Sequence, residues 1–269
     1  MTDTDPALDA LADWLAGEPA VLVSVRATQG SAPREAGTWM AVFAERVLGS
    51  VGGGHLEHEA IALARAALGG APLAAERRFA LGPALGQCCG GVMHLGFERV
   101  APAAAEAVVA RLRAELDARR MPVAVFGGGH VGRAIVRALL PLPVRVHWID
   151  SRDEVFPGDL PPQVQTEHSA PVEAAVRDLA AGSRVLIMSF SHAEDLEIVA
   201  ACIRRDDLPF IGLIGSRSKW AAFRHRLEAR GFAAAAIARV TCPIGVAGVV
   251  GKEPEVIAAA VAAQLMQHR

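Results

Sequence analysis

A short apolar stretch, a glycine loop and the start of a helix follow one another in mid-chain, and this feature constrains the fold most. Residues 123–126 are all apolar, as in a buried strand, and Gly127, Gly129 and Gly132 follow at G-x-G-x-x-G spacing. In such a loop the first glycine allows a tight turn and the second lets a pyrophosphate approach the backbone. The third lets helix and strand pack closely. The pattern therefore predicts a Rossmann-like unit.

The residues after this loop strengthen the prediction. A second predicted strand, 144–149, ends on Asp150, which lies 18 residues beyond Gly132. An acidic residue about 20 residues after the glycines binds the ribose hydroxyls in dinucleotide-binding domains. Strands and helices then alternate up to residue 230, which is typical of a parallel sheet wrapped by crossover helices. Fold and ligand are separate questions, so a Rossmann domain with or without a bound dinucleotide fits the pattern.

Hydrophobic periodicity extends the prediction to the whole chain. We expect an α/β protein in which an N-terminal α+β domain, 1–100, a linking helix, 101–120, and a Rossmann-like parallel-sheet domain, 121–269, follow in order. The elements predicted in the first domain are helix 7–15, strands 20–27, 38–44 and 46–51, helix 55–68, and strands 76–81 and 92–100. Those predicted after Asp150 are an edge strand 163–166, helix 172–179, strand 184–190, helix 193–205, strand 209–214, helix 216–230, a turn 241–245 and helix 255–267.

Composition excludes several classes of protein. Hydrophobic residues make up 52% of the chain and charged residues 21%, which is enough for a large core and too apolar for a disordered chain. A net charge of −2 argues against nucleic-acid binding, which demands a basic face. No stretch reaches the roughly 18 apolar residues of a membrane span, and the first residues lack signal-peptide features. We expect a cytoplasmic protein with reduced cysteines and no membrane or nucleic-acid partner.

Two further glycine-containing loops precede predicted helices. Gly52, Gly53 and Gly54 come directly before His55, and consecutive glycines at a helix start can expose N–H groups to an anion. The alternative is a loop that only needs positive φ angles. The stretch 215–219, which includes Ser216 and Arg217, offers hydroxyls and cations that suit a phosphate, or else an ordinary helix cap with surface charges.

Two adjacent cysteines form the third notable pattern. Cys88 and Cys89 follow Gln87 in a glycine-rich loop, where backbone donors can stabilise a thiolate and lower its pKa. The alternative is two small loop residues without a chemical role. The other cysteines, Cys202 and Cys242, stand singly. Because no paired C-x-x-C occurs, we do not expect a structural zinc site.

Taken together, these motifs resemble those of the XdhC/CoxI family, in the order of that family and over almost the whole chain. The matching stretches are 30–34, 49–57, 81–91, 126–132, 211–217, 242–245 and 251–255. His55 stands where some members of the wider family carry cysteine, and the histidine resembles the xanthine dehydrogenase branch. A mechanism that needs a thiol at this position is therefore not expected.

The resemblance implies an accessory protein without a catalysed reaction or catalytic residues of its own. Such proteins bind the molybdenum cofactor, a pyranopterin dithiolene with a terminal phosphate, and protect it while a cysteine desulfurase supplies its sulfido ligand. They then insert it into apo xanthine dehydrogenase, an enzyme of purine catabolism. The resemblance also implies a homodimer that is not a subunit of the finished enzyme.

The candidate residues follow from this role and from the chemistry of each motif. Cys88 and Cys89 are expected to ligate molybdenum or to carry a persulfide, because the metal is soft enough to accept thiolate. The pterin phosphate is expected at a glycine loop or helix N-terminus. The full set of candidate cofactor-binding residues is Gln87, Cys88, Cys89, Gly52, Gly53, Gly54, His55, Gly127, Gly129, His130, Gly132, Asp150, Ser216 and Arg217.

Two other functions fit parts of the pattern. An NAD-dependent oxidoreductase would need a base beside the nicotinamide, and His130 and His192 are the available candidates. A nucleotide-sensing regulator would need only the crevice. The crevice of the Rossmann-like domain could bind part of the cofactor, bind a separate nucleotide, or stay empty. Asp150 favours ribose hydroxyls and would repel a nearby pterin phosphate.

Overall fold

The computed structural model describes residues 6–81 and 90–268. Its contacts divide the chain into two compact units, one spanning Thr4–Ala118 and the other beginning at Arg119. Among the described residues, no helix is long and apolar enough to cross a membrane.

The N-terminal unit is built on an antiparallel sheet. Among the described residues this sheet has five strands in the order β3-β2-β1-β5-β4. The elements are α1 (Pro6–Gly17), β1 (Ala20–Gln29), β2 (Trp39–Val42), β3 (Val47–Gly49), α2 (Gly54–Leu68), β4 (Glu76–Ala80), β5 (Val92–Val100) and α3 (Ala105–Arg119). The long central pair, β1 and β5, places Gln29 opposite Val92 at one end of the sheet.

Both faces of this sheet are covered, because side chains along β1 alternate between them. Val21, Val23 and Val25 lie in one core cluster with Leu56 of α2. Leu22 lies in the other cluster, between α1 and α3. Within the stretch 101–120, a 3-10 turn over Pro102–Ala104 precedes α3, and the buried side of α3 packs into this second cluster.

The second unit is a parallel sheet with helices on both faces. Its elements are β6 (Met121–Phe126), α4 (His130–Leu139), β7 (Val144–Asp150), β8 (Val164–His168), β9 (Arg184–Ile187), α5 (His192–Cys202), β10 (Phe210–Leu213), α6 (Arg217–Ala229), α7 (Ala234–Ile237), β11 (Val240–Thr241) and α8 (Pro254–Gln267). Among the described residues the strand order is β11-β10-β9-β6-β7-β8, and each neighbouring pair is parallel. The predicted α+β unit followed by a Rossmann-like unit is therefore confirmed.

This strand order defines where a ligand crevice lies. β6 and β9 are neighbours at the centre of the sheet. The sheet continues from β6 through β7 to β8 on one side, and from β9 through β10 to β11 on the other. This is the order found in dinucleotide-binding folds, and their ligands sit at the carboxyl ends of the strands where the order reverses. The glycine loop after β6 and the residues after β9 flank that point.

Two predicted elements were wrong in type or length. The stretch predicted as helix 172–179 is a 3-10 helix, Val172–Asp178, whose terminal carbonyls accept hydrogen bonds from Arg205, for example Val176 O at 2.7 Å. The strand predicted to reach residue 190 ends at Ile187, because Ser189 donates its backbone N–H to Asp195 instead of to a strand. In both cases the hydrogen-bonding side chain, Arg205 or Asp195, belongs to a different part of the structure, so the local sequence pattern does not reveal it. The short elements α7 and β11 were not predicted.

The glycine loop after β6 is shaped by close packing within the unit. Gly127 has φ 125°, and a Cβ there would overlap the carbonyl oxygen of Met188. A Cβ at Gly132 would overlap the carbonyl oxygen of Gly127, which also accepts a hydrogen bond from the buried Trp148 indole at 2.9 Å. The first and third glycines of the motif are therefore required by the fold itself.

The substitution Gly132→Ala is expected to lower the free energy of unfolding by about 2–3 kcal/mol, since the new methyl group overpacks the loop. Urea unfolding of the purified protein measures the change. Gly129→Ala is the matched control, because a Cβ at Gly129 meets nothing within 4 Å and φ there is −71°. The control should change stability by less than about 1 kcal/mol, and equal losses for the two variants would contradict this account.

Candidate functional site at the glycine loops

The start of α4 is the most open part of the Rossmann glycine loop. Gly129 is the N-cap residue and no side chain caps the helix. Gly129 and His130 are both exposed, so the loop has an open side where a bound group can approach the backbone. First-turn N–H groups and the helix dipole favour an anion at such a position.

Asp150 lies beside this loop, as the motif predicts, but its carboxylate is already used. The side chain is 1% exposed and accepts the Gly128 N–H at 2.6 Å. Arg152 donates its backbone N–H and Nε at 2.9 Å each and its Nη2 at 3.0 Å. Burial alone would raise the pKa of Asp150, but these hydrogen bonds outweigh burial and hold the pKa below its ordinary value.

The residues after β9 form a second polar cluster at the same edge of the sheet. Asp195 is buried and accepts the backbone N–H of Ser189 at 2.9 Å and its hydroxyl at 2.8 Å. Its other oxygen pairs with Lys219 Nζ at 2.6 Å, and Lys219 also donates to Ile214 O at 3.0 Å. This charge pair and its hydrogen bonds connect the segment after β9 with α5 and α6.

The stretch 215–219 has the geometry of an ordinary helix cap. The Ser216 hydroxyl accepts the Lys219 N–H at 3.1 Å and so caps α6. The Lys219 ammonium points to Asp195 rather than to the helix start. Arg217 is exposed and forms no ion pair with any residue that the structure describes. Of the cations predicted here, Arg217 alone stays available to an external anion.

His192 is the first residue of α5 and is exposed. Its ring stands edge-on to Phe223, with the ring centroids 6.4 Å apart. The neighbouring Ser191 caps α5 by accepting the Glu194 N–H at 3.2 Å. His192 and His130 thus begin two different helices of the Rossmann unit.

In the N-terminal unit, the triple-glycine loop binds a carboxylate from its own chain. Glu57 accepts the Val51 N–H at 3.0 Å, the Gly53 N–H at 3.1 Å and the Ser50 hydroxyl at 2.6 Å. Burial works against ionisation of Glu57, yet these hydrogen bonds hold its pKa below the ordinary value of 4.5. The loop is therefore an anion-binding cradle, and Glu57 occupies part of it. His55, at the exposed start of α2, faces solvent.

The three N-terminal motifs meet at one end of the antiparallel sheet. Gly52 has φ 130°, and a Cβ there would lie 2.6 Å from the Pro33 ring. A Cβ at Gly91 would overlap the carbonyl oxygen of Ser31. Leu81 donates its N–H to Gly91 O at 2.8 Å. Leu81 and Gly91, which flank the stretch 82–89 in the sequence, are therefore hydrogen-bonded to each other beside the other two motifs.

Gln87, Cys88 and Cys89 lie outside the described residues. Of the other thiols, Cys202 is fully buried, and burial raises its pKa to about 12. Burial also raises the pKa of Cys242, against the opposing effect of the Lys219 charge. Within residues 6–81 and 90–268, no group of three or more His, Cys, Asp or Glu side chains is placed to hold a metal ion.

The sequence analysis did not predict the side chains that form hydrogen bonds with these loops. Two of them could have been found from local sequence. Arg152 is a cation two positions after Asp150, and Glu57 is an acid in the first turn of α2, directly after the triple-glycine loop. Asp195 and Lys219 are 24 positions apart, and nothing in the pattern pairs them.

The substitution Glu57→Gln is expected to lower the free energy of unfolding near neutral pH by about 1–2 kcal/mol, since charge-assisted hydrogen bonds are lost. The folded-state pKa lies below 4.5, so the wild-type advantage is complete above that pH and disappears as pH falls through the folded pKa. Urea unfolding at a series of pH values measures it.

The matched control is Glu59→Gln, whose carboxylate pairs with Arg77 at 3.0 Å on the surface. Exposed pairs contribute about 0–1 kcal/mol, so this variant should stay close to wild type. A loss for Glu57→Gln that is as large at acid pH as at neutral pH would contradict the charge-based account.

Comparison with known proteins agrees with this two-unit structure. Residues 14–79 match the family model described as the XdhC and CoxI family, and residues 123–265 match the model described as the XdhC Rossmann domain. The uncharacterized protein YqeB of Escherichia coli (strain K12) is 26% identical over 254 residues, which are 93% of this chain and 43% of that protein. The chain thus spans less than half of that relative's length.

A solved structure shares the fold over nearly its whole length. It is a crystal structure described as a xanthine dehydrogenase from Bacillus halodurans, with a TM-score of 0.74 and 18% identity. The match covers 97% of this chain and 95% of that chain. Together with the two family models, the motifs confirm the predicted resemblance: the chain belongs to the XdhC and CoxI family, and its second half is the XdhC Rossmann domain.

Proposed function

We propose that this protein binds the molybdenum cofactor, protects it while its sulfido ligand is installed, and inserts it into apo xanthine dehydrogenase. It acts as a chaperone for this cargo and has no catalysed reaction of its own. Membership of the XdhC and CoxI family supports an accessory role in xanthine dehydrogenase maturation. A cysteine desulfurase is the proposed partner that supplies sulfur.

The observation that carries this proposal is the meeting of three motifs in the N-terminal unit. Leu81 and Gly91 are hydrogen-bonded, Gly91 packs on Ser31, and Gly52 packs on Pro33. The chain therefore enters and leaves the stretch 82–89 beside an anion-binding glycine loop. A pterin dithiolene with a terminal phosphate needs both soft ligands and backbone donors. The glycine loop has the backbone donors, and the two cysteines lie in the sequence between Leu81 and Gly91.

Cys88 and Cys89 are the proposed contacts to molybdenum or to its incoming sulfur. Thiolates are soft ligands that suit such a metal, and Gln87 adds a neutral hydrogen-bonding group. Cys202 is not a competitor for this role, because burial raises its pKa to about 12 and keeps its thiol protonated at neutral pH.

The phosphate is proposed to bind at a helix N-terminus or glycine loop. At the loop of Gly52, Gly53 and Gly54, Glu57 already occupies two N–H groups, so a phosphate there must use the donors of Gly54 and His55 or displace Glu57. Ser216 caps α6. The N-terminus of α4 has no side-chain cap, so Gly129 and His130 are the second proposed position.

We propose a cytoplasmic homodimer that acts in purine catabolism and meets apo xanthine dehydrogenase only during maturation. A net charge of −2 argues against nucleic acid as a partner.

The proposal predicts that the protein purified from a host that makes molybdenum cofactor carries a pterin. Acid iodine oxidation of the denatured protein should release a fluorescent pterin derivative, approaching one per chain. The double variant Cys88→Ser, Cys89→Ser should lose most of this signal, because a hydroxyl is a poor ligand for a soft metal.

The matched control is Cys202→Ala, which removes a thiol that is buried and protonated, and it should retain the pterin. Retention by the double variant would contradict the role of the two cysteines and leave the glycine loops as the binding site. Absence of pterin from the wild-type protein would contradict the proposed carrier function.

A further inference from the structure

The acidic residue that a dinucleotide-binding domain offers to ribose has no acceptor position left in this chain. Asp150 Oδ1 accepts the backbone N–H and Nε of Arg152, and Oδ2 accepts the Gly128 N–H and Arg152 Nη2. A carboxylate has about four acceptor positions. All of them are filled from within the unit, and the carboxylate is 1% exposed.

Arg152 supplies three of these four donors and is itself held in place. Its guanidinium lies over the ring of Phe190, 4.6 Å from the ring centroid. Phe190 is 66% exposed and follows β9, so Arg152 spans from the end of β7 toward the end of β9. A cation between a carboxylate and an aromatic face is stabilised on both sides.

The residues after Arg152 lie directly on the glycine loop. A Cβ at Gly128 would overlap Cγ2 of Val155, so the two residues are in close contact. Arg133 joins them by donating to Gly128 O at 3.2 Å and to Val155 O at 2.7 Å. The chain's own segment therefore covers the loop on the side that faces Asp150.

These contacts bear on which ligands the crevice accepts. A ribose binds the acidic residue through hydroxyl groups that donate to its carboxylate oxygens. Here a ribose would have to displace the Arg152 guanidinium, and this would break its two charge-assisted hydrogen bonds to the buried carboxylate. A ligand that uses only the open backbone at Gly129 meets no such obstacle, because nothing lies within 4 Å of a Cβ there.

We propose that Arg152 is a specificity-determining residue of the Rossmann domain: it holds both carboxylate oxygens of Asp150 and so excludes ligands that bind through a ribose diol. NAD and related nucleotides belong to the excluded class. This inference concerns only the Rossmann unit, so it stands or falls separately from pterin binding.

The test is nucleotide binding by the full chain with Arg152→Ala. The backbone N–H at position 152 remains, and each carboxylate oxygen loses one side-chain donor, Nε from Oδ1 and Nη2 from Oδ2. A ribose offers two hydroxyls for these two vacated positions. In calorimetric titrations the wild type should bind NAD too weakly to saturate, which sets a lower limit to its Kd. The variant should bind NAD with a Kd at least about tenfold below that limit.

Two controls isolate the mechanism. Arg177→Ala removes another arginine of the same unit, one that pairs with Asp178 on the surface, and it should not increase NAD binding. The double variant Asp150→Asn, Arg152→Ala should lose the increase in NAD affinity, because no carboxylate then accepts the ribose hydroxyls. Thermal unfolding of each variant establishes that it is folded.

A second substitution covers the case in which Arg152→Ala does not fold. Arg152→Lys keeps the positive charge but cannot form the bidentate contact, so it should show a smaller gain in NAD binding. A folded variant at position 152 without any gain would overturn the proposal. So would NAD binding by the wild type that equals binding by Arg152→Ala.

NADP provides the remaining arm of the experiment. If the wild type binds NADP and Arg152→Ala loses that binding, Arg152 is a ligand for the 2′-phosphate, and the proposed exclusion is wrong. CMP, which carries a ribose diol without nicotinamide, should behave as NAD does if the diol is the excluded group.

Discussion

The hydrogen bonds to the buried carboxylate of Asp150 hold together the loops at the carboxyl ends of the Rossmann strands. A buried charge is costly unless it is paired and hydrogen-bonded, and four donors meet that requirement here. Since these donors come from the glycine loop and from Arg152, the carboxylate joins β6 to β7. Arg152 in turn stacks on Phe190 beyond β9. One charged group thus fixes the three chain segments that surround the topological switch point.

The N-terminal unit satisfies its glycine loop in the same way. Glu57 accepts two backbone N–H groups and the Ser50 hydroxyl, as a bound anion would. Backbone donors at glycine turns attract any negative charge, and a carboxylate from the same chain pays no cost for lost translational freedom. In both units an internal carboxylate therefore competes with an external anion, and a glycine motif alone does not establish what binds there.

In the part of the chain that the structure describes, the positions open to an external anion belong to identifiable elements. α6 is capped by Ser216, whereas α4 begins at Gly129 without a side-chain cap. In the N-terminal unit, the motifs around Gly30, Gly52 and Gly91 pack on one another where the chain enters and leaves the stretch 82–89. The proposed role as a cofactor carrier requires such positions to be accessible.

The sequence by itself determined the two-unit architecture and the family. Alternating apolar residues predicted the strands, the glycine spacing predicted the loop at Gly127, and the acid position predicted that Asp150 would lie beside it, because these features depend on local geometry. Tertiary structure decided how Asp150 is used, that Asp195 pairs with Lys219, and that β9 ends before residue 190. Hydrogen-bond satisfaction depends on distances between atoms rather than on separation along the chain, so no periodicity reveals which buried acceptors a fold has already filled.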